Sequence, residues 1–143
     1  MKNQEITIYR EIQRNTEMAI KAIDAISDKV YDDQLASQIS RQSLKYSQLH
    51  NQAMKQLVAA KAEPYHGSYV SDMMLRMGVG YNTLLNTSTS HIAEMMIKGS
   101  NNGILEMEKV LRHNQNVSEA PRNLAEELIH FEEKNVQRLK DYL

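Results

Sequence analysis

Apolar residues recur along this chain at alternating steps of three and four, the period of one helix face. In the first segment, about residues 3 to 30, Ile12, Ala19, Ile23, Ile26 and Val30 keep that step, with Thr16 on the same stripe. Ser27-Asp28 and Asp32-Asp33 mark a turn, and a second helix is predicted over about 33 to 61. Its inward side carries Leu35, Ile39, Tyr46, Ala53 and Leu57, and Glu63-Pro64-Tyr65-His66-Gly67-Ser68 breaks it. A short apolar piece, Tyr69 to Met77, stops at Gly78-Val79-Gly80. A third long helix, about 81 to 114, then buries Leu85, Ile92, Met96, Met107 and Val110. After Asn114-Gln115-Asn116, Ser118 reads as the N-cap of a fourth helix, with Pro121 tolerated in its first turn. Leu124, Leu128, Val136 and Leu139 form the inner face of that helix, which runs to Leu143.

The lengths of the connections predict a topology. Short turns join helices 1 and 2 and helices 3 and 4, so each pair is an antiparallel hairpin. Nearly twenty residues with a short helix lie between the pairs. A helix of about 26 residues spans about 40 Å, and that connection is long enough to run back along it. The expectation is an all-α, single-domain four-helix bundle over residues 1–143, made of two hairpins joined by a long crossover. A short internal repeat agrees: Glu17-Met18-Ala19-Ile20-Lys21 recurs as Glu94-Met95-Met96-Ile97-Lys98, and Tyr46…Gln52-Ala53-Met54-Lys55 parallels Phe131…Gln137-Arg138-Leu139-Lys140.

Composition narrows the classes. With 5 Gly, 2 Pro, no Trp and a single Phe, the chain lacks the turn signals and aromatic runs of a β protein, whereas its 9 Met suit helices. The 17 basic and 18 acidic residues form no basic stripe, which argues against nucleic acid as a partner. Without cysteine there is no disulfide, thiolate site or thiol chemistry. The start, Met1-Lys2-Asn3-Gln4-Glu5-Ile6, lacks the apolar stretch of a signal peptide, and no run reaches membrane-spanning length. The expectation is a cytoplasmic protein without a membrane partner.

The second half carries Glu94 and then Glu127-x-x-His130, and here the chain resembles the ferritin-like superfamily over nearly its whole length. The resemblance implies a di-iron or di-manganese centre, built from one Glu on each of two helices and Glu-x-x-His on the others. Helical phase points these particular residues the wrong way. At about 100° per residue, Glu94 lies almost opposite Leu85, Ile92 and Met96, and Glu17 shares a stripe with Arg10, Arg14, Lys21 and Asp24. Each Glu has a Lys four residues on, the usual exposed helix pair. His130 points away from the Leu124, Leu128 and Leu139 face.

A different polar set points inward: Thr16 on helix 1, Ser47 and His50 on helix 2, and Glu132 and Asn135 on helix 4. Ser47-x-x-His50 and Glu132-x-x-Asn135 coincide in the repeat alignment, and they resemble worn versions of the family's Glu-x-x-His. His50 and Glu132 are expected to meet within hydrogen-bonding reach. One carboxylate and one imidazole do not hold two metal ions, though they could hold a single iron or manganese with water completing the shell. The same set also reads as a satisfied buried cluster or a small-molecule pocket.

Other features read more simply. Met73, Met74 and Met77 cover the bundle, and His66, His91 and His113 belong to loops or surface. Gly99 and Gly103 sit inside helix 3 facing inward, read as a close approach of another helix rather than a cavity beside His50. No Ser/His/Asp set with catalytic geometry can be argued. The first functional expectation is a non-enzymatic binding or interaction module, compatible with a homodimer, whose small-molecule or protein partner the sequence does not name. The alternative is a metal-binding oxidoreductase or iron-handling protein with a reduced site at His50 and Glu132.

Overall fold

The computed structural model describes residues 2–65 and 86–143, and those residues are helical without any strand. Four long helices carry the fold: α1 (Asn3–Ile26), α2 (Asp33–Ala59), α3 (Thr89–His113) and α4 (Glu119–Leu139). The short apolar piece and most of the predicted crossover, with His66, Met73, Met74 and Met77, lie outside the described residues, as does Leu85 at the start of the third predicted helix.

Local chemistry explains where the helices begin and end. The last turn expected of α1 tightens into a 3-10 turn, Ser27–Lys29, where the Ser27 hydroxyl is bonded to the Asp24 carbonyl. Asp32 caps α2 by accepting from Leu35 N at 2.8 Å. Beyond Ala59 the chain turns out of the helix at Lys61, which adopts φ 56, and Ala62 N reaches back to the Leu57 carbonyl at 2.9 Å. A third helix was expected from about residue 81, yet Asn86–Ser88 are not helical and α3 starts at Thr89. Asn86 Oδ1 accepts from Ser88 N, and the Ser88 hydroxyl accepts from His91 N at 3.3 Å, so side chains take up the first free amides. Ser118 stands at the N-cap of α4, but its hydroxyl is donated to Glu5 Oε2 at 2.6 Å instead of capping its own helix.

Contacts between helices fix their directions. Each hairpin partner packs extensively on the other, α1 with α2 and α3 with α4. Asn116 N bonds Gln4 Oε1, and further along Asn15 Nδ2 meets Met107 Sδ at 3.6 Å. As residue numbers rise on α1 they fall on α3, so these two helices are antiparallel. It follows that α1 and α4 point one way and α2 and α3 the other. The core is aliphatic at both ends, with Ile8, Ile12, Leu57 and Met107 toward one end and Ile26, Leu35, Ile92 and Leu139 toward the other. No described helix is long and apolar enough to cross a membrane.

Candidate functional site

Between those aliphatic ends lies a polar layer. Each helix brings a polar or small residue to the level where an aliphatic one would be expected: Thr16 from α1, Gln42 and Tyr46 from α2, Ser100 and Gly103 from α3, and Glu132 and Asn135 from α4. All of them are buried. Glu132 is the hub. Its Oε1 accepts a short hydrogen bond from the Tyr46 hydroxyl, and further bonds from Ser100 Oγ and Asn135 Nδ2, both at 3.3 Å. Asn135 Nδ2 also donates to the Tyr46 oxygen at 3.3 Å. The Tyr46 ring is held edge-on against Phe131, with centroids 4.9 Å apart.

Glu132 Oε2 lies in a notch that Gly103 opens: a Cβ placed on that glycine would stand 2.5 Å from it. The inward glycine therefore makes room for a side chain, not for the backbone of another helix. Every hydrogen-bond partner of Glu132 among the described residues is neutral. Burial drives its pKa up to about 7 against the opposing pull of the donors from Tyr46, Asn135 and Ser100. Both forms of the carboxyl are thus populated near neutrality. The same burial, with the carboxylate beside it, pushes the Tyr46 hydroxyl well above its usual range, so Tyr46 stays a donor.

The expected His50–Glu132 pair does not form. His50 is half-buried and makes no hydrogen bond among the described residues, while Tyr46, one turn earlier, takes the carboxylate. Phase and length explain the exchange. At about 100° per residue His50 lies 40° on from Tyr46, toward the edge of the inward face, and Ser47 lies 100° on, at its flank. The long phenol of Tyr46 reaches the centre from a better-placed position. Ser47 is likewise half-buried, outside the network. Thr16 is fully buried, but its hydroxyl is spent on its own helix, on the Ile12 carbonyl at 2.7 Å and the Gln13 carbonyl at 3.0 Å. Of the five inward residues read from the sequence, the network gathers Glu132 and Asn135.

Tyr46 passed in the sequence for plain apolar core, and Gln42 and Ser100 were missed. Gln42 did leave a signal, since a glutamine stands in the middle of the Leu35, Ile39, Tyr46, Leu49 ladder. The outward carboxylates lie elsewhere. Glu94 is exposed and pairs with Lys98 at 3.3 Å, the half-exposed Glu17 pairs with Lys21 at 3.4 Å, and Glu127 takes Lys45 at 3.0 Å. His130 is exposed beside Glu133.

These residues do not fit the two-metal centre that the family resemblance implies. The described residues of the layer include one carboxylate and no imidazole, one oxygen of that carboxylate is filled by three donors, and the other is pressed against α3. Among the described residues no three His, Cys, Asp or Glu side chains gather as ligands. No family model, curated protein or solved structure matches this chain.

Proposed function

We propose that this chain is a ferritin-like bundle without a di-iron centre, working as a non-enzymatic binding or interaction module. The observation that carries the reading is the middle of the bundle, where Glu132 is held by the neutral donors Tyr46, Ser100 and Asn135 instead of by a second carboxylate or an imidazole. A hydrogen-bonded cluster of this kind positions three of the helices, α2, α3 and α4, against one another. Its hydroxyls, from Tyr46 and Ser100, are buried with the carboxylate, and one oxygen of that carboxylate is already taken by three donors.

The ferritin-like topology is supported by the helix directions. The α2 and α3 helices point the same way, the arrangement that a passage from one end of the bundle to the other, as in a long crossover, would join. The start of that passage is held on α1: Arg10 Nε donates to the Glu63 carbonyl at 2.7 Å, and Gln13 Oε1 accepts from Tyr65 N at 2.7 Å. From Glu63 to Tyr65 the chain therefore advances along α1 in the direction the crossover requires.

The test is metal binding by the full chain. Purified protein dialysed against ferrous or manganous ion, with oxygen excluded, should retain no stoichiometric metal by elemental analysis. Retention of one or two ions per chain that disappears in Glu132→Gln would overturn the reading and restore an iron-handling protein. A metal-free protein that sediments as a dimer would support an interaction module.

A further inference from the structure

The mid-bundle layer leaves polar atoms over. Gln42 is 2% exposed, and neither its Oε1 nor its Nε2 has a hydrogen-bond partner among the described residues. Asn135 is 0% exposed, and while its Nδ2 is engaged twice, its Oδ1 has no partner among the described residues. These atoms fall on the same side of the Tyr46–Glu132 bond. Gln42 stands one turn before Tyr46 on α2, about 6 Å along the axis, and Asn135 stands about 4.5 Å beyond Glu132 on α4. Since α2 and α4 run in opposite directions, both steps lead toward the end of the bundle lined by Leu35 and Leu139.

We infer that the layer contains an internal hydration site between Gln42 and Asn135, a place for a neutral, water-sized ligand that both donates and accepts. Two of the leftover atoms, Gln42 Oε1 and Asn135 Oδ1, require a donor, and the third, Gln42 Nε2, requires an acceptor. Three hydrogen bonds to otherwise unsatisfied groups are what a buried water usually makes. A cation would meet the amide hydrogens of Gln42, and an anion would face Glu132 with no positive charge from any residue of the layer. Water suits both ends. Its presence extends the chain of polar groups from Glu132 through Tyr46 and Asn135 to Gln42, so the core carboxyl is not solvated by Tyr46, Ser100 and Asn135 alone. This inference shares the layer with the proposed function but does not depend on it, because a binding module with a dry centre would still lack a metal set.

A high-resolution crystal structure of the full chain, with water–amide NOEs measured in solution, tests it. The expected result is an ordered peak within hydrogen-bonding distance of Gln42 and Asn135, without anomalous signal, and NOEs from water to the Gln42 side-chain amide. In Gln42→Leu both should vanish. Its melting temperature should not rise, because the apolar side chain strands Asn135 Oδ1 without its bridge. Gln42→Met serves the same purpose if the branched side chain prevents folding. A dry layer in the unaltered protein, with Gln42 bonded directly to a protein group, would overturn the inference. So would a Gln42→Leu or Gln42→Met variant that melts higher than the parent, the outcome expected when an unpaired dry amide is replaced by hydrocarbon. An anomalous peak at the site would replace water by a metal, and would count against the proposed function as well.

Discussion

Glu132 and Glu94 are both glutamates within long helices of the same bundle, yet they occupy opposite environments. Glu94 stands on the outer stripe of α3, 52% exposed at its side chain and paired with Lys98 at 3.3 Å. Glu132 stands on the inner stripe of α4 and, among the described residues, bonds only neutral groups. At the surface an opposite charge holds the carboxylate while water does most of the solvation. In the core the protein uses directed dipoles, and the carboxyl responds by taking up a proton more readily. Glu11 falls between the two. Burial raises its pKa, while Arg14, with its nitrogen 3.0 Å from the carboxylate, pulls it back down.

The largest expected effect follows from that difference. Glu132 titrates near 4.5 when unfolded and about 7 in the folded chain, so the protonated form is the one the fold prefers. The stabilising contribution of that preference is fully present below pH 4.5 and is lost as pH rises through 7. At about 1.4 kcal/mol per unit of pKa difference, the loss amounts to about 3 kcal/mol. Urea melts of the parent and of Glu132→Gln should therefore agree at pH 4.5, and the variant should be the more stable by about 3 kcal/mol at pH 8.5. A constant difference between the two across that range would mean that Glu132 does not carry the proton. Because its partners are neutral, the effect should also be nearly independent of salt.

Gly103 gives the next effect, and a sharper one because its sign can be reversed. In Gly103→Ala the added Cβ displaces Glu132 Oε2 and with it the carboxylate that Tyr46, Ser100 and Asn135 share. Against a gain of about 1 kcal/mol in helix propensity, the disruption should leave a net loss of about 1–2 kcal/mol. Once Glu132 has been shortened to Ala, the same Gly103→Ala change should instead stabilise by about 1 kcal/mol, since nothing then fills the notch. Denaturant melts of the four combinations decide it. If Gly103→Ala is already neutral in the parent, the carboxylate is free to move and the network holds it loosely.

How much of this was legible beforehand depends on what helical phase can resolve. The period of three and four found the long helices, and it separated Glu132 and Asn135 from Glu94, Glu17 and His130. The choice of Tyr46 over His50 lay beyond it. The two lie 40° apart on α2, and which one reaches Glu132 depends on side-chain length and on the distance between α2 and α4, neither of which a single helix reveals. Gly103 was legible as an inward glycine, but its purpose required knowing that a carboxylate on α4 stands at the same height. The helix boundaries missed for the same kind of reason. Ser88 and Lys61 end their helices through capping bonds and a left-handed residue, where hydrophobic spacing carries no information.

The smallest effect belongs to the outer stripe and completes the contrast. Glu94 and Glu17 occupy matching positions in the two hairpins, each with a lysine four residues later and the ion pair formed, at 3.3 and 3.4 Å. Exposed pairs of this spacing contribute about 0.3–0.5 kcal/mol, because water screens the attraction and both side chains lose freedom in making it. Glu94→Ala should therefore lower stability by less than about 0.5 kcal/mol, and raising the salt concentration to 1 M should erase most of that. Glu17→Ala should cost slightly more, since Glu17 is only half-exposed and also accepts from Gln13 Nε2 at 3.1 Å. Neither variant should alter the pH dependence that Glu132 produces, because these carboxylates lie on the far sides of their helices from the mid-bundle layer. A loss of more than about 2 kcal/mol from Glu94→Ala would place that side chain in an interface which the single chain leaves exposed, and the division between an inner and an outer glutamate would have to be redrawn around a second copy.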